Sequence, residues 1–265
     1  MDTRPIGMFD SGVGGLTVLK EVMKQSPQEE IIYLGDTKRF PYGSKSKETI
    51  IELTKKGIDF LINKNVKAVI IACGTATSQA LEALQPLYTI PLIGIIEATV
   101  QYIKEKTAIQ TVGVIATAGT IRSQGWQQHL EKQVPRLTIQ NQACPLLAPM
   151  AEEGWIDNEI AKLTVHEYIK DFKNIDALIL GCTHYPLFKP LLEQELGKQV
   201  EIIHTGEIVS KALQKFLVDN HLENTGKGGK TIFLTDTQTN FVKVASIVLE
   251  TAEKDCFIQK ADIEA

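Results

Sequence analysis

AVIIACGTAT (residues 68–77) and ALILGCTHYP (177–186) decide how this chain is read. Each is a short apolar run that ends in a cysteine followed within two residues by a threonine. A buried strand has no packing need for a thiol at its last position, since valine or alanine would fill the space. Working outward from the runs AVIIA (68–72) and DALIL (176–180), similar ones recur at PIGMF (5–9), EIIYL (30–34), IPLIGI (90–95), TVGVIA (111–116), LTIQNQ (137–142), VEIIH (200–204) and TIFLT (231–235). Amphipathic stretches separate them. SKETIIELTKKGIDFLINKN (44–63) puts Ile50, Leu53, Ile58 and Leu61 on one apolar helical face, and DNEIAKLTVHEYIKDF (157–172) is read the same way through Ile160, Leu163 and Tyr168. This alternation predicts βαβ units, a mainly parallel sheet and an α/β fold. Nine strands suit one wide sheet or two smaller ones, and the repeated strand–Cys–Thr pattern favours two halves related by duplication.

The 265 residues are 43% hydrophobic and 23% charged, enough for a sizeable soluble core. A net charge of −4 gives no basic footprint for nucleic acid. No apolar run approaches the roughly 18 residues of a membrane helix. MDTRPIGMFDSG lacks a signal peptide's apolar centre, so the expectation is a cytosolic protein without membrane or nucleic-acid partners. Four cysteines (Cys73, Cys144, Cys182, Cys256) without CxxC spacing describe neither a disulfide scaffold nor a zinc finger, and should be free thiols. KSK (45–47) and KGGK (227–230) read as solvated loops, and DNHLENTGKGGK (219–230) as a connector.

Ligands of parallel sheets bind beyond the carboxyl ends of the strands. Asp10 and Ser11 follow the first apolar run, Asp36 the second and Cys73 the third, while Cys182 and His184 follow the run at 176–180. FDSGVGGLTVLKEV (9–22) lacks the lysine of a phosphate loop and has Thr17 where a dinucleotide motif needs glycine. Two readings of it stay open: a turn whose N–H groups, with Asp10 and Ser11, hold a small zwitterion, or a plain turn capped by Asp10. PYG (41–43) alone reads as a β-turn. Cys144 and Cys256 read as space-filling, His129 and His166 as surface residues, His221 as a loop residue and His204 as structural. Three chemistries could use the remaining set. A cysteine hydrolase uses one thiol and leaves the other unexplained. A zinc site of Asp10, Cys73, Cys182 and His184 has enough ligands but no characteristic spacing. Inversion at a carbon acid needs two acid–base groups on opposite faces, and thiols, with a pKa of about 8.5, suit that work. Inversion accounts for both cysteines. No lysine in a pyridoxal-like context and no metal-ligand spacing is evident, so no cofactor or metal is expected.

FDSGVGGLTVL, YLGDTKRFPYG, IIACGTAT and LILGCTHYPL resemble, in order and spacing, the signature segments of the glutamate racemases. These are cofactor-independent members of the aspartate/glutamate racemase family that supply D-glutamate to peptidoglycan. The resemblance runs from Gly7 to about His204. It implies two pseudo-symmetric, doubly wound α/β domains, residues 1–97 plus 207–265 and residues 98–206, with the active site between them, often in a homodimer. It implies that Cys73 acts on D-glutamate and Cys182 on L-glutamate, assisted by Asp10 and His184, with Glu152 where the family has a further acidic residue. Ser11, Tyr42, Gly43, Gly74, Thr75 and Thr183 match substrate-holding positions, mostly through hydroxyls and backbone N–H groups. The chain departs from the family twice. Gly74 stands where asparagine is usual, so Gly74→Ala is expected to keep activity and Gly74→Asn to add a donor and lower KM. IIHTGE (202–207) lacks the family's usual acidic residue after that strand. Alternatives are an aspartate or hydantoin racemase of the same family, or a non-catalytic binder of an acidic metabolite, against which both cysteines count.

Overall fold

The computed structural model describes residues 2–237, 241–250 and 258–264. All pairing between its strands is parallel, and the strands fall into two sheets. The first joins β1 (Ile6–Asp10), β2 (Glu30–Gly35), β3 (Ala68–Ile71), β4 (Leu92–Gly94), β9 (Gly229–Leu234) and β10 (Ile258–Lys260) in the order β10-β9-β2-β1-β3-β4. The second joins β5 (Thr111–Ala116), β6 (Thr138–Ala143), β7 (Ala177–Leu180) and β8 (Glu201–Ile203) in the order β6-β5-β7-β8. The order β2-β1-β3-β4 in one sheet is thus repeated as β6-β5-β7-β8 in the other. Cys73 lies just past β3 and Cys182 just past β7, so the two thiols occupy equivalent places.

Helices cover both faces of the sheets, which is why β1, β3 and β7 are buried at every position. In chain order they are α1 (Leu16–Gln25), α2 (Lys47–Ile62), α3 (Gly74–Leu84), α4 (Ile95–Glu105), α5 (Ala118–Arg122), α6 (Gly125–Gln133), α7 (Leu147–Glu152), α8 (Glu159–Ile169), α9 (Lys189–Leu196), α10 (Thr205–Asp219) and α11 (Phe241–Leu249). Ser46 caps α2 by accepting a hydrogen bond from the Thr49 N–H, and its predicted face of Ile50, Leu53, Ile58 and Leu61 is buried. One apolar core lies between α2, α3 and the first sheet, and another between α7, α8, α9 and the second. A third core draws on both sheets through α1, α4, α6 and α10. The chain passes between the sheets along α4 and α10, which pack on each other.

Three sequence expectations change. In α8 the buried stripe is Ala161, Val165 and Ile169, while Ile160 and Leu163 are exposed. Spacing of four along a helix sets that face, and the two bulkier residues lie off it. The KGGK loop ends in structure, since Gly229 and Lys230 begin β9 and pair with Glu30 and Ile31 of β2. Ile258–Lys260 adds a tenth strand beside β9, too short to read as an apolar run.

Below the sheet's amino ends, fully buried Lys67 pairs with Glu29 at 2.6 Å. Its ammonium also donates to the carbonyls of Asp2 at 2.9 Å and Leu222 at 2.6 Å. Lys67→Ala leaves a buried carboxylate without its cation and should lower the unfolding free energy by about 3–5 kcal/mol. Urea titration of both proteins measures this, and a loss below about 1 kcal/mol would place the pair among weak surface bridges.

Candidate active site

The carboxyl ends of both sheets open onto one cavity of about 310 Å³, within the range of small-ligand sites. Six strand-to-helix connections line it. Ser11 comes after β1, Phe40 to Ser44 after β2, and Cys73, Gly74 and Thr75 after β3. The other sheet contributes Thr117 and Ala118 after β5, Pro145 after β6, and Cys182, Thr183 and His184 after β7. Ala148 and Pro149 of α7 and Arg122 of α5 complete the wall.

The two thiols have different surroundings. Cys73 precedes the first residue of α3, and its Sγ donates to Ser11 Oγ at 3.4 Å. Burial, with the nearby Asp10 carboxylate, pushes the Cys73 thiol up to about 12, so it holds its proton at neutral pH. Cys182 Sγ lies 3.6 Å from His184 Nδ1. On the far side of that ring, Nε2 lies 2.7 Å from Glu152 Oε1, which also accepts the Val13 N–H at 2.9 Å. Burial alone would lower the His184 pKa, but the bonds to Cys182 and Glu152 outweigh it and hold the imidazole well above its usual value. Phe40 packs against the ring, with centroids 5.5 Å apart.

Asp10 and Glu152 stand behind the cavity wall. Asp10 is fully buried and accepts the Gly12 N–H at 2.9 Å and the Thr183 hydroxyl at 3.1 Å. Burial raises its carboxyl to about 6, against the opposing pull of the His184 charge, the Gly12 and Gly15 N–H groups and Thr183. The N–H groups of Gly12 and Val13 are therefore already bound to carboxylates of the protein. FDSGVGG is a turn capped by Asp10, and only Ser11 of it reaches the cavity.

Tyr42 and Gly43 also line the cavity, but the Tyr42 hydroxyl donates to Asp36 Oδ2 at 2.6 Å, so Asp36 holds that end. Asp36 further accepts from Arg39 and Thr235. Thr75 Oγ1 lies 2.9 Å from Thr117 Oγ1 and 3.2 Å from Thr120 Oγ1, which joins the two halves across the site. Thr117 escaped the sequence reading, although it follows β5 as Ser11 follows β1. Arg122, the one arginine or lysine of the lining among the described residues, sits on a five-residue helix with no motif to flag it. Cys144 is buried and its carbonyl accepts the Tyr185 hydroxyl, while His204 caps α10 through Nδ1. His129 and His166 face Glu97 and Glu195 away from the cavity, and Cys256 lies outside the described residues. Among the described residues no three His, Cys, Asp or Glu side chains converge as metal ligands, so the zinc alternative lacks a ligand set.

Gly74 departs from expectation. A Cβ there would lie 2.1 Å from the Gly181 carbonyl oxygen, so neither alanine nor asparagine fits without moving backbone. This contact argues against the expectations that Gly74→Ala is tolerated and that Gly74→Asn improves binding.

Two α/β halves that share a four-strand order, each ending an equivalent strand in a buried thiol at a shared cavity, define a racemase fold. The chain belongs to the Asp/Glu/Hydantoin racemase family, whose model matches residues 12–213. It is 40% identical to the glutamate racemase of Geobacter metallireducens over 93% of each chain. It is 42% identical to that of Persephonella marina over 97% of each. Its fold superposes on the crystal structure of Francisella tularensis glutamate racemase in complex with D-glutamate with a TM-score of 0.92, at 38% identity, covering 100% of this chain and 99% of that one.

Glu152→Gln keeps an acceptor for Val13 while removing the charge that faces His184. The imidazole, titrated by NMR, should then lose its proton at lower pH, moving toward the ordinary value of about 6.5. Because the pKa is raised in the folded state, the stabilisation it gives is complete below the unfolded value and fades as pH rises through the folded one. An unchanged midpoint in Glu152→Gln would remove Glu152 as the partner.

Proposed function

We propose that this chain is a glutamate racemase that interconverts L- and D-glutamate by proton transfer between two thiols, without a cofactor, and supplies D-glutamate for peptidoglycan. The observation that carries the reading is the pair of cysteines, one from each half, at equivalent strand ends of a single cavity. From L-glutamate, Cys182, having passed its proton to His184, takes the α-proton. Cys73, which holds its proton, delivers it to the other face and leaves D-glutamate. The reverse direction exchanges the roles. Glu152 holds the imidazolium through this cycle, and Asp10 fixes the Thr183 loop beside Cys182.

The substrate carboxylates are held by N–H groups at the first turn of α3, with Ser11, Thr75, Thr117 and Thr183 around them. The same fixed dipoles stabilise charge as it develops at the α-carbon. Sheet membership supports a division into residues 1–97 plus 207–265 and residues 98–206. By its likeness to the glutamate racemases, the chain is assigned to the cytosol and to a homodimer.

Single-thiol variants test the reading. Cys73→Ser and Cys182→Ser should each abolish racemisation in both directions. A 3-chloroglutamate exposes the surviving half-reaction: a thiolate takes the α-proton, the freed electron pair forms the Cα–Cβ double bond, and chloride leaves. No reprotonation is required. Cys73→Ser should still eliminate chloride from the L-analogue, and Cys182→Ser from the D-analogue, at about 10²–10⁴-fold over background. The same enantiomer favoured by both variants, or normal racemisation by either, would defeat the two-thiol mechanism. Faster α-proton exchange on L-aspartate than on L-glutamate would move the assignment to aspartate.

A further inference from the structure

Gly74 and Gly181 are the covalent neighbours of the two thiols: Gly74 follows Cys73 and Gly181 precedes Cys182. They also mark a close approach of one half of the molecule to the other. A Cβ on Gly74 would stand 2.1 Å from the Gly181 carbonyl oxygen and 3.2 Å from its carbon, a distance at which backbone must move. Gly74 does not adopt a left-handed conformation, so the requirement for glycine here comes from the opposing strand end.

Neither side can retreat within its own half. The Gly181 N–H donates to the Ile115 carbonyl at 2.8 Å. A Cβ built on Gly181 would meet Trp126 Nε1 at 2.8 Å, the Ile115 oxygen at 2.9 Å and Ala116 Cβ at 3.1 Å, so that residue is enclosed from behind. Gly74 opens α3, whose Ala76, Ala80, Leu81 and Leu84 are set in the first sheet's core, and Ile95 closes its other side. A side chain at 74 would therefore have to part the two halves, and with them the two thiols.

We propose that Gly74 is a positioning residue for racemisation: by lacking a side chain, it lets the two strand ends meet and so fixes the span between Cys73 and Cys182. This inference rests on the two-thiol reading above and adds the element that sets its geometry. Racemisation needs both thiols within reach of one α-carbon, whereas elimination from an analogue needs only one.

The test compares these reactions in wild type and Gly74→Ala. A displacement of about 1 Å should lower kcat for racemisation about 10²-fold, while chloride elimination from L-3-chloroglutamate through Cys182 falls much less. The ratio of the two rates should drop at least about tenfold. Gly74→Asn should show the same imbalance rather than a lower KM. Circular dichroism should show both variants folded, because the contact joins the first residue of α3 to the connection after β7 and belongs to none of the three apolar cores. Unfolding of both variants, an equal fall in both reactions, or no fall would each overturn the proposal. Failure of the two-thiol reading is seen separately, as a wild-type protein that does not racemise glutamate.

Discussion

A proton that leaves a carbon from one face and returns to the other must be handled by two groups held at a fixed span. This chain meets that constraint with backbone. The ends of β3 and β7 approach so closely at Gly74 and Gly181 that no side chain fits between them, and the cysteines next to these glycines inherit their spacing. The repeated strand order puts the thiols at equivalent positions, and the shared core around α4 and α10 holds the two sheets together. Other polar contacts tie the same seam. Thr75 meets Thr117, the Thr17 hydroxyl donates to the Thr183 carbonyl at 2.8 Å, and Glu152 reaches across to Val13.

Within this near-symmetric frame the electrostatics are asymmetric. Burial and the nearby Asp10 carboxylate favour the neutral Cys73 thiol, against the opposing pull of the Ser11 hydroxyl. Cys182 faces a histidine backed by glutamate, which can accept and hold a proton. Two identical residues thus sit in unlike surroundings, one beside a buried carboxylate and the other beside an imidazole. Asp10 and Glu152 act from behind the wall, where carboxylates can organise loops and charge without competing with an anionic substrate for the cavity.

Much of this is legible in the sequence because the signals are local. Apolar runs mark nine of the strands, and a thiol at the end of a buried run conflicts with packing and so advertises chemistry. What depends on tertiary contact is not legible. Ile160 and Leu163 look like a core face until the sheet selects Ala161, Val165 and Ile169. The Tyr42 hydroxyl looks available for substrate until Asp36 takes it. Gly74 looks like a lost side chain until Gly181 is seen opposite, a neighbour far along the chain. Thr117 is recognised only once the sheets superpose strand on strand.

Whether each thiol serves one face of the α-carbon can be read from isotope placement in the wild-type protein. L-Glutamate is converted in D₂O, and both enantiomers are recovered early in the reaction and analysed for deuterium at the α-carbon. Two separate bases predict that newly formed D-glutamate carries deuterium while the remaining L-glutamate keeps its protium. Deuterium entering L-glutamate as fast as it enters D-glutamate, or protium carried over into the product, would mean that one base serves both faces and would contradict the account.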